Sequence, residues 1–258
     1  MVESHAGAGG QIGYTALSMA KPDGYTIGTI TTMSIVTHEL TREGLAYTFK
    51  DSFIPIGQAV FDPSGCVVLA DSPFKTLDDL IQEAKKNPGK INWGGTMLWG
   101  THHVQLALLE REAGIKVNYI PFDGLSETRA AILGGHLDVA ASGMSGWLPL
   151  INEGKLRALA FAGTKRLSQL PDVPTYLELG YDVVVGSNRG FAAPAGTPKE
   201  IITLLSDTLK EVLEDPEFLA EAEKVGIAHT LNYSSAEDFR NFLLKLQNNM
   251  REFFAQQK

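Results

Sequence analysis

The chain has 258 residues, 44% hydrophobic and 20% charged, with a formal net charge of −8. These globular proportions exclude a disordered chain, and the acidic balance excludes the basic stripe of a nucleic-acid surface. One cysteine, Cys66, excludes an internal disulfide, and no apolar run approaches the roughly 18 residues of a membrane-spanning helix.

From the N-terminus, Met1–Gly10 has neither a basic start nor an apolar stretch, so it does not read as a signal peptide. Short β-branched runs then alternate with amphipathic segments, the α/β pattern. Strands are predicted at Tyr25–Ile30, Cys66–Ala70, Lys90–Trp93, Val117–Pro121, Asp138–Ala141, Leu156–Ala160, Val183–Val185 and Gly190–Ala193. A hydroxyl followed three residues later by a carboxylate marks helix starts at Thr76–Asp79, Thr175–Glu178, Thr197–Glu200 and Ser235–Asp238, with Pro198 at a first helical position. Gly89, Gly114 and Gly134-Gly135 mark helix ends. Ser235–Lys258 carries a continuous amphipathic helix pattern.

Two stretches look alike, Asp62–Leu80 and Gly186–Leu205, each a turn, a short apolar strand and a capped helix. A chain crossing twice between two similar lobes produces such a pair. We therefore expect one lobe from residues 1–62 and 188–258, and a second from 63–187.

Four loops at the carboxyl ends of strands carry the candidate chemistry, since ligands of open α/β sheets bind at that edge. In Asn92–His103 a strand runs into a Gly/Thr loop that opens a helix, so free N–H groups and the Thr96 and Thr101 hydroxyls form an anion cradle. Trp93 and Trp99 flank it; a plain strand–helix turn would use the same glycines. Ile30–Thr37 follows a strand with hydroxyls, read equally as a helix cap or as a ligand contact. Pro121–Ser126 and Ala141–Ser145 complete the set. Arg189 could grip a carboxylate with two parallel hydrogen bonds, or be a solvated surface residue.

Enzymatic signatures fail. Gly7–Gly13 has Ile12 where a dinucleotide loop needs its last glycine, and Ser142–Gly146 is followed by Trp147 where a nucleophile elbow needs a glycine. His102 and His103 are adjacent and do not share a helix face, so they make a poor metal pair, and Cys66 reads as a buried hydrophobe. No catalytic residue, metal or cofactor is expected.

These stretches together resemble a known family, the tripartite tricarboxylate transporter receptors, also called Bug-type or TctC-like solute-binding proteins. The resemblance rests on Gly7–Gly13, Ala20–Thr26, Asn87–Lys90, Gly94–His103, Pro121–Gly124, Leu133–Val139, Leu170–Thr175 and Ala193–Glu200, in the family's order. It implies a type-II periplasmic-binding-protein fold, two α/β lobes with a ligand cleft between them. It implies a periplasmic location, a membrane transporter partner and a small organic carboxylate ligand, a di- or tricarboxylate or an aromatic acid; we expect a monomer. The positions it points to are Thr32 and Ser34; Gly94, Gly95, Thr96, Trp99, Gly100, Thr101 and His102; Phe122 and Gly124; Ser142 and Ser145; we add Arg189. A ligand-sensing module and an enzyme on the same fold are the alternatives. Family members also have a signal peptide, a first strand, a first helix and a ligand loop ahead of the segment matched by Val2-Glu3-Ser4. A chain shortened at its N-terminus, with an exposed sheet edge, is therefore expected.

Overall fold

The computed structural model describes residues 1–5 and 7–255. In chain order the elements are α1 (Gln11–Ser18), β1 (Gly28–Thr31), α2 (Thr32–Thr41), α3 (Phe49–Ser52), β2 (Phe53–Leu69), α4 (Leu77–Lys86), β3 (Asn92–Thr96), α5 (Thr101–Ala113) and β4 (Asn118–Phe122). They continue with α6 (Leu125–Leu133), β5 (Val139–Gly143), α7 (Met144–Asn152), β6 (Leu156–Phe161), β7 (Gly186–Pro194), α8 (Lys199–Glu214), α9 (Pro216–Lys224), β8 (Leu231–Ser234) and α10 (Ala236–Ala255). The chain divides into two compact units, Met1–Phe61 with Asn188–Lys258, and Asp62–Ser187.

In the first unit β1 pairs antiparallel with β7, β7 lies beside β2, and β8 pairs antiparallel with Gln58 and Val60 of β2. Ile56, Ala193 and Ile202 form a small core there. Helix α10 packs on α2, and Gln247 Nε2 donates to Glu39 Oε2 at 2.8 Å across that contact. The last three residues of the predicted terminal helix, 256–258, lie outside the described residues.

In the second unit β3 pairs parallel with β4 and β5, while β2 runs antiparallel to β5 and β6. The core gathers Val67, Ile132, Met144, Trp147 and Phe161. The carboxyl ends of β3, β4 and β5 share one edge, and Ser64 of β2 is in register with Gly143 at that edge. Each of the three strands passes into a helix there.

Several local expectations are corrected. Tyr25 is 95% exposed and the strand begins at Gly28. Strand β3 continues through Gly94 and Gly95 to Thr96, where a loop was expected. Val183–Val185 is not a strand; its N–H groups at 183 and 185 instead donate to the Tyr181 and Ala162 carbonyls. Thr175 and Glu178 exchange the two hydrogen bonds of a capping box, but on a turn rather than a helix. Thr197 donates its hydroxyl to the Pro194 carbonyl at 2.8 Å, and Pro198 itself caps α8. Thr76–Asp79 and Ser235–Asp238 start helices as expected.

Candidate functional site

The second unit carries a candidate site on the turn between β3 and α5. Gly94 is fixed by packing, because a Cβ there would collide with Leu137; one on Gly95 would lie 2.7 Å from the Tyr119 hydroxyl. The chain then makes a tight passage in which Met97 (φ 50°) and Trp99 (φ 59°) both adopt the left-handed conformation. For residues with a Cβ this conformation is held only when surroundings over-determine it. Here they do. Met97 N–H donates to the Phe122 carbonyl at 3.1 Å, and the Tyr119 hydroxyl reaches the Thr96 and Met97 carbonyls at 3.2 and 3.3 Å. Trp99 N–H donates to His103 Nδ1 at 3.0 Å, and the His103 ring stacks on Tyr119 at 4.2 Å. Burial pushes the His103 imidazole down to about 4, which keeps it neutral and able to accept.

Gly100 caps α5, and Thr101 and His102 sit buried in its first turn. His102 Nδ1 lies 2.8 Å from Ser64 Oγ. Ser64 donates to Gln105 Oε1, Gln105 Nε2 donates to the Tyr176 hydroxyl at 2.5 Å, and Cys66 Sγ points at the Ala160 carbonyl. This buried chain fixes the His102 ring. A serine–histidine pair suggests a nucleophile, but Ser64 is fully buried and its proton is committed to Gln105. Burial also pushes the Cys66 thiol up to about 11, far from a reactive thiolate.

Phe122 ends β4 and packs against the core, and Gly124 caps α6. Ser142 is buried in β5. Ser145, in the first turn of α7, is engaged internally: its N–H donates to Asp62 Oδ1 at 3.1 Å and its hydroxyl to Asp62 Oδ2 at 2.5 Å. Gly143 leaves the room Asp62 needs, since a Cβ there would collide with the carboxylate.

In the first unit Thr32 and Ser34 lie in the opening turn of α2, not in a loop, Thr32 buried and Ser34 half-buried. Thr31 N–H donates to the Tyr14 hydroxyl at 3.1 Å, which holds the β1–α2 junction. Arg189 on β7 is in register with Thr31 and exposed, so the cation flanks the start of α2.

Sequence reasoning missed Asp62, Ser64, His103 and Tyr119. Strand alternation was the available signal: residues 62 and 64 of an extended run share a face, and that face meets the strand ends at Gly143. Among the described residues no group of three His, Cys, Asp or Glu could hold a metal, and no helix is long and apolar enough to cross a membrane.

Relatives carry the same architecture. The UPF0065 protein of the gbd 5′ region of Cupriavidus necator is 34% identical over 84% of this chain and 66% of its own length. The chain thus spans about two thirds of that relative. A TctC solute-binding protein from Polaromonas superposes with a TM-score of 0.84 at 27% identity, covering 99% of this chain and 86% of that one. An R. palustris protein solved with adipate superposes at 0.82 with 25% identity, over 99% and 85%. Residues 1–253 match the family described as the tripartite tricarboxylate transporter family receptor. With its two α/β units and its strand-edge turns, the chain belongs to that receptor family and has its fold.

Proposed function

We propose that this chain is an extracytoplasmic, periplasmic solute-binding receptor that takes a small organic carboxylate and delivers it to a tripartite tricarboxylate-type membrane transporter. The observation that carries the reading is the β3–α5 turn. Two residues with side chains are held at positive φ by four hydrogen-bond contacts and a ring stack, at the start of a thirteen-residue helix. Backbone strain of this kind is kept where it shapes a contact, and a helix start offers N–H groups to an anion. The adipate held by the R. palustris relative supports a carboxylate ligand. The two compact units stand as the two lobes of the fold, with boundaries at 61/62 and 187/188.

Within the second unit the ligand contacts are Thr96, Trp99, Gly100, Thr101 and His102, with Gly94 and Gly95 shaping the strand beneath them, Phe122 and Ser142 on the neighbouring strand ends, and Gly124 and Ser145 at the helix starts that follow those strands. Within the first they are Thr32, Ser34 and Arg189. The protein acts by binding, as a monomer, and not by catalysis; the inert surroundings of Cys66 and Ser64 support this.

A thermal-shift screen against mono-, di-, tricarboxylic and aromatic acids tests the reading. Ligand that binds only the folded chain raises the melting temperature, with about 2.7 kcal/mol at a hundredfold excess over Kd. A selective rise with one acid class is expected. A cooperative melt that no acid moves sinks the receptor assignment.

A further inference from the structure

Asp62 is a charged residue buried to 5% exposure at the strand edge where the candidate contacts gather. It stands at the start of the second unit's share of β2, one position before Pro63 and two before Ser64, so Asp62 and Ser64 face the same side. Ser64 reaches His102 from that face, and Asp62 reaches Ser145. Between them lies Gly143, in register with Ser64, whose missing side chain admits the carboxylate. The carboxylate therefore fills, from inside the protein, the donors that α7 would otherwise present at this edge. Among the described residues no cation pairs with it: the hydrogen bonds it accepts come from a neutral hydroxyl and a backbone N–H.

We infer that Asp62 is a specificity-determining residue of the second unit, one that confines a ligand carboxylate to the β3–α5 turn and rejects a further carboxylate on the α7 side. The ligand group that faces α7 is then neutral or cationic: a hydroxyl, an ammonium or a ring carbon. Specificity built on a repulsive element acts against the competitor without tightening the preferred ligand. Two like charges a few ångströms apart in a partly desolvated site repel strongly enough to change an affinity about tenfold. The consequence for ligands rests on the receptor reading above.

The test uses matched acids that differ by one carboxylate, glutarate against tricarballylate and benzoate against phthalate, titrated calorimetrically into the wild-type chain and Asp62→Asn. Asparagine keeps the shape and one acceptor for Ser145 and loses the charge. The expected result is a shift of about tenfold in the affinity ratio toward the acid with the additional carboxylate in Asp62→Asn, with the affinity for the simpler acid within threefold of wild type. Ser145→Ala supplies the second variant should Asp62→Asn not fold. It leaves the charge and removes the hydroxyl that offsets it, so the ratio moves the opposite way. Ratios unchanged within threefold in folded variants, beside a wild type that binds, overturn the role of Asp62 alone. A wild type that melts cooperatively and binds none of the four acids overturns the receptor reading and this inference together.

Discussion

Gly94 shows how a single residue can be misassigned from its type. A glycine after a predicted strand reads as loop, yet here it extends the strand because Leu137 occupies the space a side chain would take. Gly94→Ala is expected to cost about 1–3 kcal/mol as overpacking, seen as a lowered melting temperature with no ligand present. His103 and His38 give the acid behaviour. Both are held down to about 4, His103 by burial and His38 by burial and then the nearby Arg42 charge. In the unfolded chain they titrate near 6.5, so below that pH the unfolded state binds more protons. Their contribution is complete above 6.5, falls as pH drops toward 4 and is constant below. Melting curves from pH 7.5 to 3.5 are expected to show this limb, and His103→Phe to make it shallower while leaving a ring to stack on Tyr119. That variant removes the acceptor for Trp99 N–H, a further loss of about 1 kcal/mol wherever the wild-type imidazole is neutral, that is, above about pH 4.

Among elements, the mostly apolar runs at Cys66–Leu69, Val139–Ala141 and Leu156–Ala160 were legible as strands, since they are short and the core buries them. Strand β2 was legible only from Cys66 on. Its first half, Phe53–Val60, carries Pro55 and Gly57, which read as loop punctuation; Gly57 is instead required because a side chain would press on the Ser234 carbonyl. Short β8 has no periodicity to read over four residues. The turn into α5 was visible as a Gly/Thr segment, but its bracing was not. Tyr119 comes from the neighbouring strand and His103 from the following helix, and no local pattern announces that their rings stack. The strain in this turn leads to an expectation at the same scale. Met97→Gly relieves one left-handed residue and should raise the melting temperature slightly, by an amount worth about 0.5–1 kcal/mol. The same substitution loosens the turn and should weaken carboxylate binding, so the apo melt and the ligand-induced shift are expected to move in opposite directions.

For the whole molecule, the two units differ in how the chain supplies them. The second is one continuous run, Asp62–Ser187, and the first is assembled from two pieces. The Ser64, His102, Gln105 and Tyr176 chain and the Asp62–Ser145 pair all lie within the continuous run. Residues 62–187 expressed alone are therefore expected to give a cooperative thermal transition by circular dichroism, whereas residues 1–61 alone are not. A non-cooperative melt of the 62–187 segment would show that its core depends on the remainder of the chain.

The pairing of β1 with β7 imposes an order of events during synthesis. Thr29 must wait for Phe191, about 160 residues later, before its ladder can form. At about 5–20 residues per second that is roughly 8–30 s on the ribosome. Through that interval Ile30, Met33, Ile35 and Val36, all buried in the finished protein, have no sheet to cover them. The second unit emerges and can close first. The early segment thus passes through synthesis as an apolar stretch in search of partners, and shielding by a holding chaperone would matter until Phe191, and after it the α10 residues that pack on α2, are made.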